Sequence, residues 1–247
     1  MTESIGRRPA AEALAASDYP GRGLILGLNQ SGTCSAAVYF IMGRSENSRN
    51  RVFVSEDGIL RTQAADPAKV SDPSLIIYRA VRRWQDMLIV TNGDQTDTVY
   101  DALTRAQTFE SALRTRCFEP DAPHYTPRIS GLLPLRDNGE PVRLAILKAQ
   151  DTSGNLCARQ FFEYEPVPGA AWYLHTYIRS AQRLPAFSGE PEAVVLPKTA
   201  DEAAAVLWEA LNPDNRISLF VRYTNRRTGA EEERIINRYA KEGLENA

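Results

Sequence analysis

Thr91, Asn92, Gly93, Asp94 and Thr96 crowd hydroxyl, amide and carboxylate groups into one stretch, MLIVTNGDQTDT, and a second polar cluster, Arg44, Arg49 and Arg51, lies within residues 43–51. The first set suits an anionic or amide-bearing ligand, because a turn that opens a helix leaves backbone N–H groups free beside those side chains. A well-capped connection with no ligand fits the same spacing. Three guanidiniums in one loop repel each other unless an anion or a carboxylate lies between them. That loop is therefore either an anion site or a solvated turn in which Glu46 neutralises one charge. Further on, three prolines predict that the segment from Phe118 to Arg128 is extended and stiff, holding Glu119 and Arg128 at fixed positions. Functional loop and inert spacer both fit it.

Missing motifs narrow the chemistry. The sequence contains no G-x-S-x-G, H-E-x-x-H, G-x-x-x-x-G-K-[ST] or G-x-G-x-x-G. Its three cysteines form no C-x-x-C pair, and there are two histidines, which argues against a structural zinc site or a disulfide framework and fits a reducing cytoplasm. Cys34 falls inside an apolar run and reads as a core cysteine; His124 and His175 have no neighbouring nucleophile and read as structural or surface residues. A net charge of −2 supplies no global field toward nucleic acid or acidic membranes, so an anion site must be local. No run of about 18 apolar residues and no basic-then-apolar leader is present, so neither a membrane span nor a secretion signal is expected. Arginines, amides, a tyrosine and carboxylates on loops suit binding a phosphorylated polar small molecule and moving protons on it.

These groups need elements to hold them. Met87 to Val90 is a branched apolar run that stops at the NGD turn, after which Val99, Ala102, Leu103 and Ala106 recur at helical spacing. Asp94 or Thr96 can cap that helix, with Asp97 in its first turn. Arg22 to Leu28 and Cys34 to Met42 predict a hairpin closed by Asn29, Gln30, Ser31 and Gly32, followed by a strand at Val52 to Val54. Asp66 to Pro73 is a connection, Leu75 to Val81 a strand centred on Tyr78, and a second helix runs from Thr108 to near Cys117. Strands follow at Val142 to Lys148, Leu156 to Glu163, Ala171 to Ile178 and Ile217 to Tyr223. Helices are expected at Asp201 to Leu211, capped by Thr199, and at Glu231 to Lys241. Residues 1–20 read as an appendage with a short helix from Pro9 to Ala16. No shift of composition divides residues 21–247, which predicts a single α+β domain of layered sheets with helices outside.

The segments GRGLILGLNQSG, the Arg44-Ser45 to Asn50-Arg51 loop, DPSLIIYRAVR, TNGDQTDT and Tyr125-Thr126-Pro127-Arg128-Ile129 occur in an order and spacing that resemble the archaeal-type inosine monophosphate (IMP) cyclohydrolase family, over about residues 21–131. The chain is similar to the longer bacterial branch of that family. The resemblance implies dehydrative ring closure of 5-formamidoimidazole-4-carboxamide ribotide (FAICAR) to IMP, a step of purine nucleotide biosynthesis. It implies a small-molecule nucleotide substrate, no metal or organic cofactor, no nucleic-acid or membrane partner and a cytoplasmic location; a homo-oligomer is compatible with it. The implied fold is an α/β, four-layer αββα sandwich resembling the N-terminal nucleophile hydrolases, here without an N-terminal nucleophile, since residues 1–20 precede the first strand.

By the same resemblance, Glu119 would transfer protons and Tyr78 would be the hydrogen-bonding or acidic partner of the formyl oxygen. Arg44 and Arg51 would hold phosphate or carboxamide, and Asn92, Asp94, Thr96 and Arg128 would orient base and ribose. Asn29 matches an asparagine of the family's first glycine turn. The archaeal members usually carry histidine where this chain has Gln95, and a shorter arginine loop; Gln95 cannot act as acid or base near pH 7. Two other readings remain. One is an amidohydrolase with a processed N-terminal nucleophile. The other is a nucleotide- or RNA-binding module built on Arg44, Arg49, Arg51, Arg82, Arg83, Arg105, Arg114 and Arg116 beside Tyr78 and Trp84, which the mild net acidity disfavours.

Overall fold

Both strands of the first hairpin, β2 (Arg22–Leu28) and β3 (Cys34–Met42), are buried on both faces, which is why they read as nearly unbroken apolar runs. Alternate residues serve different cores: Leu24, Leu26, Tyr39 and Ile41 turn one way, Ile25, Val38 and Phe40 the other. The structure is a computed structural model that describes residues 6–70 and 76–239.

Two seven-stranded sheets are stacked. The first has the order β1-β12-β11-β2-β3-β13-β14, with β1 (Arg8–Pro9), β11 (Ala171–His175), β12 (Glu192–Val195), β13 (Arg216–Asn225) and β14 (Glu231–Asn237). The second runs β10-β9-β8-β7-β6-β5-β4, comprising β4 (Val52–Glu56), β5 (Ile59–Gln63), β6 (Arg79–Trp84), β7 (Met87–Thr91), β8 (Arg128–Pro134), β9 (Val142–Ala149) and β10 (Cys157–Tyr164). All pairings are antiparallel except β1 with β12.

Leu24, Leu26 and Tyr39 meet Val81, Leu88, Val90, Ile129 and Ile146 in the core between the sheets. Helices α1 (Ala10–Ala15) and α5 (Ala200–Ala210) cover the first sheet through Leu14, Ala203 and Leu207. On the second, α3 (Gln95–Thr104) and α4 (Phe109–Arg114) bury Val99, Leu103, Phe109 and Leu113 against Met87, Ile89 and Leu147, while a single turn, α2 (Glu46–Arg49), joins β3 to β4. The result is the αββα sandwich that the resemblance implies. Residues 8–15 belong to its first two layers, since Arg8 and Pro9 pair with Val194 and Val195. Among the described residues no helix is long and apolar enough to cross a membrane.

The helix expected at Glu231 to Lys241 is instead a strand, β14, from Glu231 to Asn237, and residues 240–241 lie outside the described part. Thr228 and Gly229 (φ 79°) turn the chain back, so β14 pairs along β13 from Thr224–Glu231 to Ser218–Asn237. Ladder bonds with a buried neighbour outweigh the helical propensity of a Glu-rich run. The strand expected from Leu75 begins at Arg79, with Tyr78 just ahead of it; Leu75 itself lies outside the described residues.

His175 ends β11 with its ring 4.7 Å from those of Tyr173 and Phe187, and its Nδ1 lies 2.7 Å from Tyr177 O. Burial lowers its pKa from 6.5 to about 4. The folded state therefore binds fewer protons than the unfolded chain between those values, and stability falls as pH falls through that window, by up to about 1.4 kcal/mol per pH unit. Urea titrations between pH 7 and pH 4 should show this slope in the parent protein and a shallower one in His175→Gln.

Candidate active site

Arg22 opens β2 on the parity of Leu24 and Leu26, so its side chain enters the space between the sheets, where a cation needs a partner. Glu119 is that partner. Arg22 Nη1 and Nη2 donate to Glu119 Oε1 and Oε2 at 2.7 and 2.9 Å, and both residues are buried. Arg22 Nη1 also donates to Asn92 O at 3.0 Å, which ties the pair to the NGD turn. Burial works against the Arg22 charge, but the Glu119 carboxylate outweighs it and holds the guanidinium well above its usual range.

The segment carrying Glu119 is closed on itself rather than extended. Glu119 N–H donates to Thr126 O at 2.9 Å, and Asp121 accepts from the Thr126 N–H at 2.6 Å and from its hydroxyl. A carboxylate that captures backbone a few residues on competes with the extended preference of proline. Thr126 Oγ1 in turn lies 2.5 Å from the Tyr177 hydroxyl, anchoring the loop to the first sheet.

Arg51 enters the site just before β4. It is buried, forms no ion pair among the described residues, and its Nε has no hydrogen-bond partner. Burial, and then the charge of Arg22, pull its pKa down. Tyr78 comes from a break in the β5–β6 ladder: Leu60 pairs with Val81 but Arg61 with Arg79, while Tyr78 N–H donates to Thr62 Oγ1 at 3.0 Å. That irregularity sets the Tyr78 hydroxyl 2.7 Å from the Tyr39 hydroxyl, within electrostatic reach of Arg22 and Arg51. Burial and the neighbouring Tyr78 push the Tyr39 pKa well up.

Arg44 is held by Ser180 Oγ at 3.0 Å and Ala181 O at 2.9 Å, with its guanidinium 4.9 Å from the centre of the Tyr19 ring. Arg22, Arg44, Arg51, Glu119, His124 and Tyr177 all line one cavity of about 240 Å³. His124 Nδ1 is a second buried polar atom there without a partner. The third arginine of the loop, Arg49, turns away to Gly43 O and Asp214 O, and Glu46 bonds Lys69 rather than an arginine. The loop is thus no solvated turn neutralised by Glu46.

The NGD turn frames this cavity from behind. Asn92 Nδ2 donates to Pro127 O at 2.9 Å, and its Oδ1 accepts from Ile129 N–H at 2.8 Å and Gln95 Nε2 at 3.0 Å. Thr96 Oγ1 lies 2.7 Å from Thr91 Oγ1. Asp94 caps nothing with its side chain; it pairs with Arg128 at 2.6 Å and with Arg116. A Cβ at Gly93 would lie 2.5 Å from Arg128 Nη1 and 2.6 Å from Gln95 Oε1, so any larger residue there must displace the contact between those two side chains. Asn29 is not brought to the site: it follows the far end of β2, about 20 Å along the strand from Arg22, and closes the hairpin through Cys34 N–H and Lys198 O.

Gln95, where a histidine was expected from the resemblance, is fully buried and bridges Asn92 to Arg128 Nη1, which donates to its Oε1 at 2.6 Å. Its work is to hold the turn. Gln95→Leu should therefore cost about 2–3 kcal/mol in urea unfolding, from polar groups left unpaired, while kcat of the folded protein falls far less than on changing Glu119.

Sequence reasoning missed Arg22 and Tyr39. Arg22 shares the strand parity of Leu24 and Leu26, a signal that an inward charge needs an inward partner. The arginines that suggested RNA binding are largely engaged within the fold: Arg82 with Asp97 and over the Tyr100 ring, Arg83 with Asp86 and Glu231, Arg114 over Phe161, Arg116 with Asp94.

Sequence comparison gives the family. A family model described as IMP cyclohydrolase-like protein matches residues 19–229. The IMP cyclohydrolase of Methanopyrus kandleri is 32% identical over 159 residues, which cover 61% of this chain and 78% of that protein. The match takes in every segment that builds the cavity, from Tyr19 to Leu184, and on it the chain belongs to the IMP cyclohydrolase-like family.

Proposed function

We propose that this enzyme closes the second purine ring, converting FAICAR to IMP and water in the cavity beside Arg22, Arg51 and Glu119. The observation that carries the reading is Arg51. A buried guanidinium that forms no ion pair among the described residues, and whose Nε has no hydrogen-bond partner, is costly unless a ligand completes it.

 Its charge feels Glu119 without pairing with it, and its Nε proton has no acceptor among the described residues. A ribotide phosphate or the substrate carboxamide would answer both, with Arg44 beside it.

In the reaction the carboxamide nitrogen bonds to the formyl carbon and gives up one proton, and the formyl oxygen takes one up. The formamido nitrogen then releases its proton as the C–O bond breaks, and water leaves. Both reacting groups belong to one molecule, so selecting the folded conformer supplies much of the rate. Glu119 accepts and returns the moving protons: each of its oxygens takes one hydrogen bond from Arg22 and keeps a lone pair. Tyr78, backed by Tyr39, donates toward the formyl oxygen, and the charges of Arg22 and Arg51 stabilise the oxyanion that develops there. Asn92, Asp94, Thr96 and Arg128 orient base and ribose through the turn they build, and Asn29 has no part in the chemistry. The test is a stopped assay in which freshly formylated ribotide and IMP are separated by chromatography, with chelator present. Conversion well above the uncatalysed rate is expected; a rate equal to that of buffer would refute the assignment.

A further inference from the structure

The chain that descends from α4 toward Glu119 lies along the first residues of the edge strand β10 in a stepwise register. The Arg114 guanidinium lies 5.1 Å from the centre of the Phe161 ring. Two residues on, Arg116 O accepts from Arg159 Nε and Nη2 at 3.1 and 2.7 Å. Phe161, Arg159 and Cys157 alternate on one face of the strand, the face turned to the helices, where Cys157 and Phe161 pack against the α3–α4 core. The next step of that register sets Cys157 opposite Phe118 and beside its neighbour Cys117, the groups that act on the Cys157 thiol. Both cysteines are free thiols; Cys117 is exposed and Cys157 half-buried. Cys117 is two residues from Glu119, and neither thiol has a part in the reaction described above.

We propose that Cys117 and Cys157 are a dithiol that closes to a disulfide by exchange with a low-molecular-weight disulfide such as oxidised glutathione, and that closure slows turnover by shifting the Glu119 loop. In the first step the Cys117 thiolate attacks the reagent's S–S bond, forms a mixed disulfide and releases one thiolate of the reagent. Cys157 then loses its proton and attacks the Cys117 sulfur, and the second thiolate leaves. The protein gives up two hydrogen atoms and the reagent is reduced to two thiols, so the exchange balances. The order follows from exposure, and it agrees with the Cys157 thiol being pushed up to about 11 by burial and by Cys117 itself, an influence the mixed disulfide removes.

The consequence for catalysis is geometric, and it rests on the role given above to Glu119. An S–S bond of about 2.05 Å is shorter than any contact between two thiols. Closing it draws Cys117 toward β10, and with it a loop whose Glu119 must meet both Arg22 nitrogens. A displacement of about 1 Å in a reacting group costs about 10²-fold in rate.

The experiment incubates the full-length protein with oxidised glutathione, then takes intact mass, a non-reducing peptide map and the cyclohydrolase rate, before and after dithiothreitol. Expected are the loss of two hydrogen atoms, a peptide joining Cys117 to Cys157, and a fall in rate of about 10²-fold that dithiothreitol reverses. Cys157→Ala should keep its rate under the same treatment, and so should Cys117→Ser, whose exposed site makes a folding defect easy to recognise by its melting curve. A stable glutathione adduct without the joined peptide, or an unmodified protein, overturns the dithiol. A joined peptide with an unchanged rate overturns its effect on turnover. If the reduced protein has no cyclohydrolase activity, the reaction assigned above fails, and the peptide map alone then decides for or against the disulfide.

Discussion

Glu119→Gln should lower kcat by about 10²–10⁴-fold, while affinity for IMP should change less than about tenfold. The amide keeps the shape of the side chain but cannot accept and return a proton at neutral pH. It also removes the only carboxylate paired with Arg22 among the described residues and leaves two cations, Arg22 and Arg51, in the same buried space. Breaking a buried pair in this way costs about 3–5 kcal/mol, so the rate must be measured well below the melting temperature of the variant. Glu119→Asp separates the two effects. It restores the negative charge and much of the lost stability, yet its carboxylate is withdrawn by about 1 Å or more, and kcat should stay about 10²-fold down. A Glu119→Gln protein with normal kcat, or a Glu119→Asp protein in which rate and stability recover together, would reduce Glu119 to a structural counter-ion.

Arg51→Met should stabilise the ligand-free protein and weaken its response to nucleotide. Methionine has a similar length and fills the same space without a charge to desolvate. Replacing an unpaired buried cation by an apolar side chain should gain about 1–3 kcal/mol, which for a chain of this size is about 2–4 °C in Tm for each kcal/mol. In the parent protein, IMP should raise Tm in proportion to its saturation of the site. In the variant that rise should shrink, because a charged hydrogen bond to phosphate or carboxamide, worth about 1.5–3 kcal/mol, is gone. Thermal melts with and without IMP read both effects. A variant less stable than the parent would mean that Arg51 is a structural residue, and an unchanged nucleotide response would remove it from the binding site.

Local features of this site were legible in the sequence. The apolar run ending at Thr91, the NGD turn and the helix after it stand in the structure as β7, the turn and α3, because buried strands and amphipathic helices leave periodic traces. What the side chains of the turn do was less legible. Asn92, Asp94, Thr96 and Arg128 satisfy one another and the backbone, a choice settled by β8 running alongside β7.

The charged centre of the cavity was harder still. Arg22, Arg51 and Glu119 line it and Tyr78 lies behind them on Tyr39; these four come from separate segments that only the stacking of the two sheets brings together, and no local pattern records that stacking. Arg22 was hidden because a buried, paired arginine interrupts an apolar run without ending it. The misread helix at Glu231 has the same origin, since a neighbour far away in sequence, β13, decided the conformation. Asn29 shows how a residue can match a family's turn while its side chain ties that turn to a distant segment, here through Lys198 O, rather than facing the cavity.

The reaction proposed requires the nucleotide to bind in the cavity lined by Arg22, Arg44, Arg51 and Glu119. A crystal structure of the protein grown with IMP tests it most directly. Expected is the six-membered ring of the base beside Glu119 and Tyr78, with phosphate among the guanidiniums of Arg44 and Arg51 and the Arg22–Glu119 pair intact. IMP bound elsewhere, for example in the cleft lined by Trp84, Phe109 and Arg143, with Arg51 still unpartnered, would contradict it.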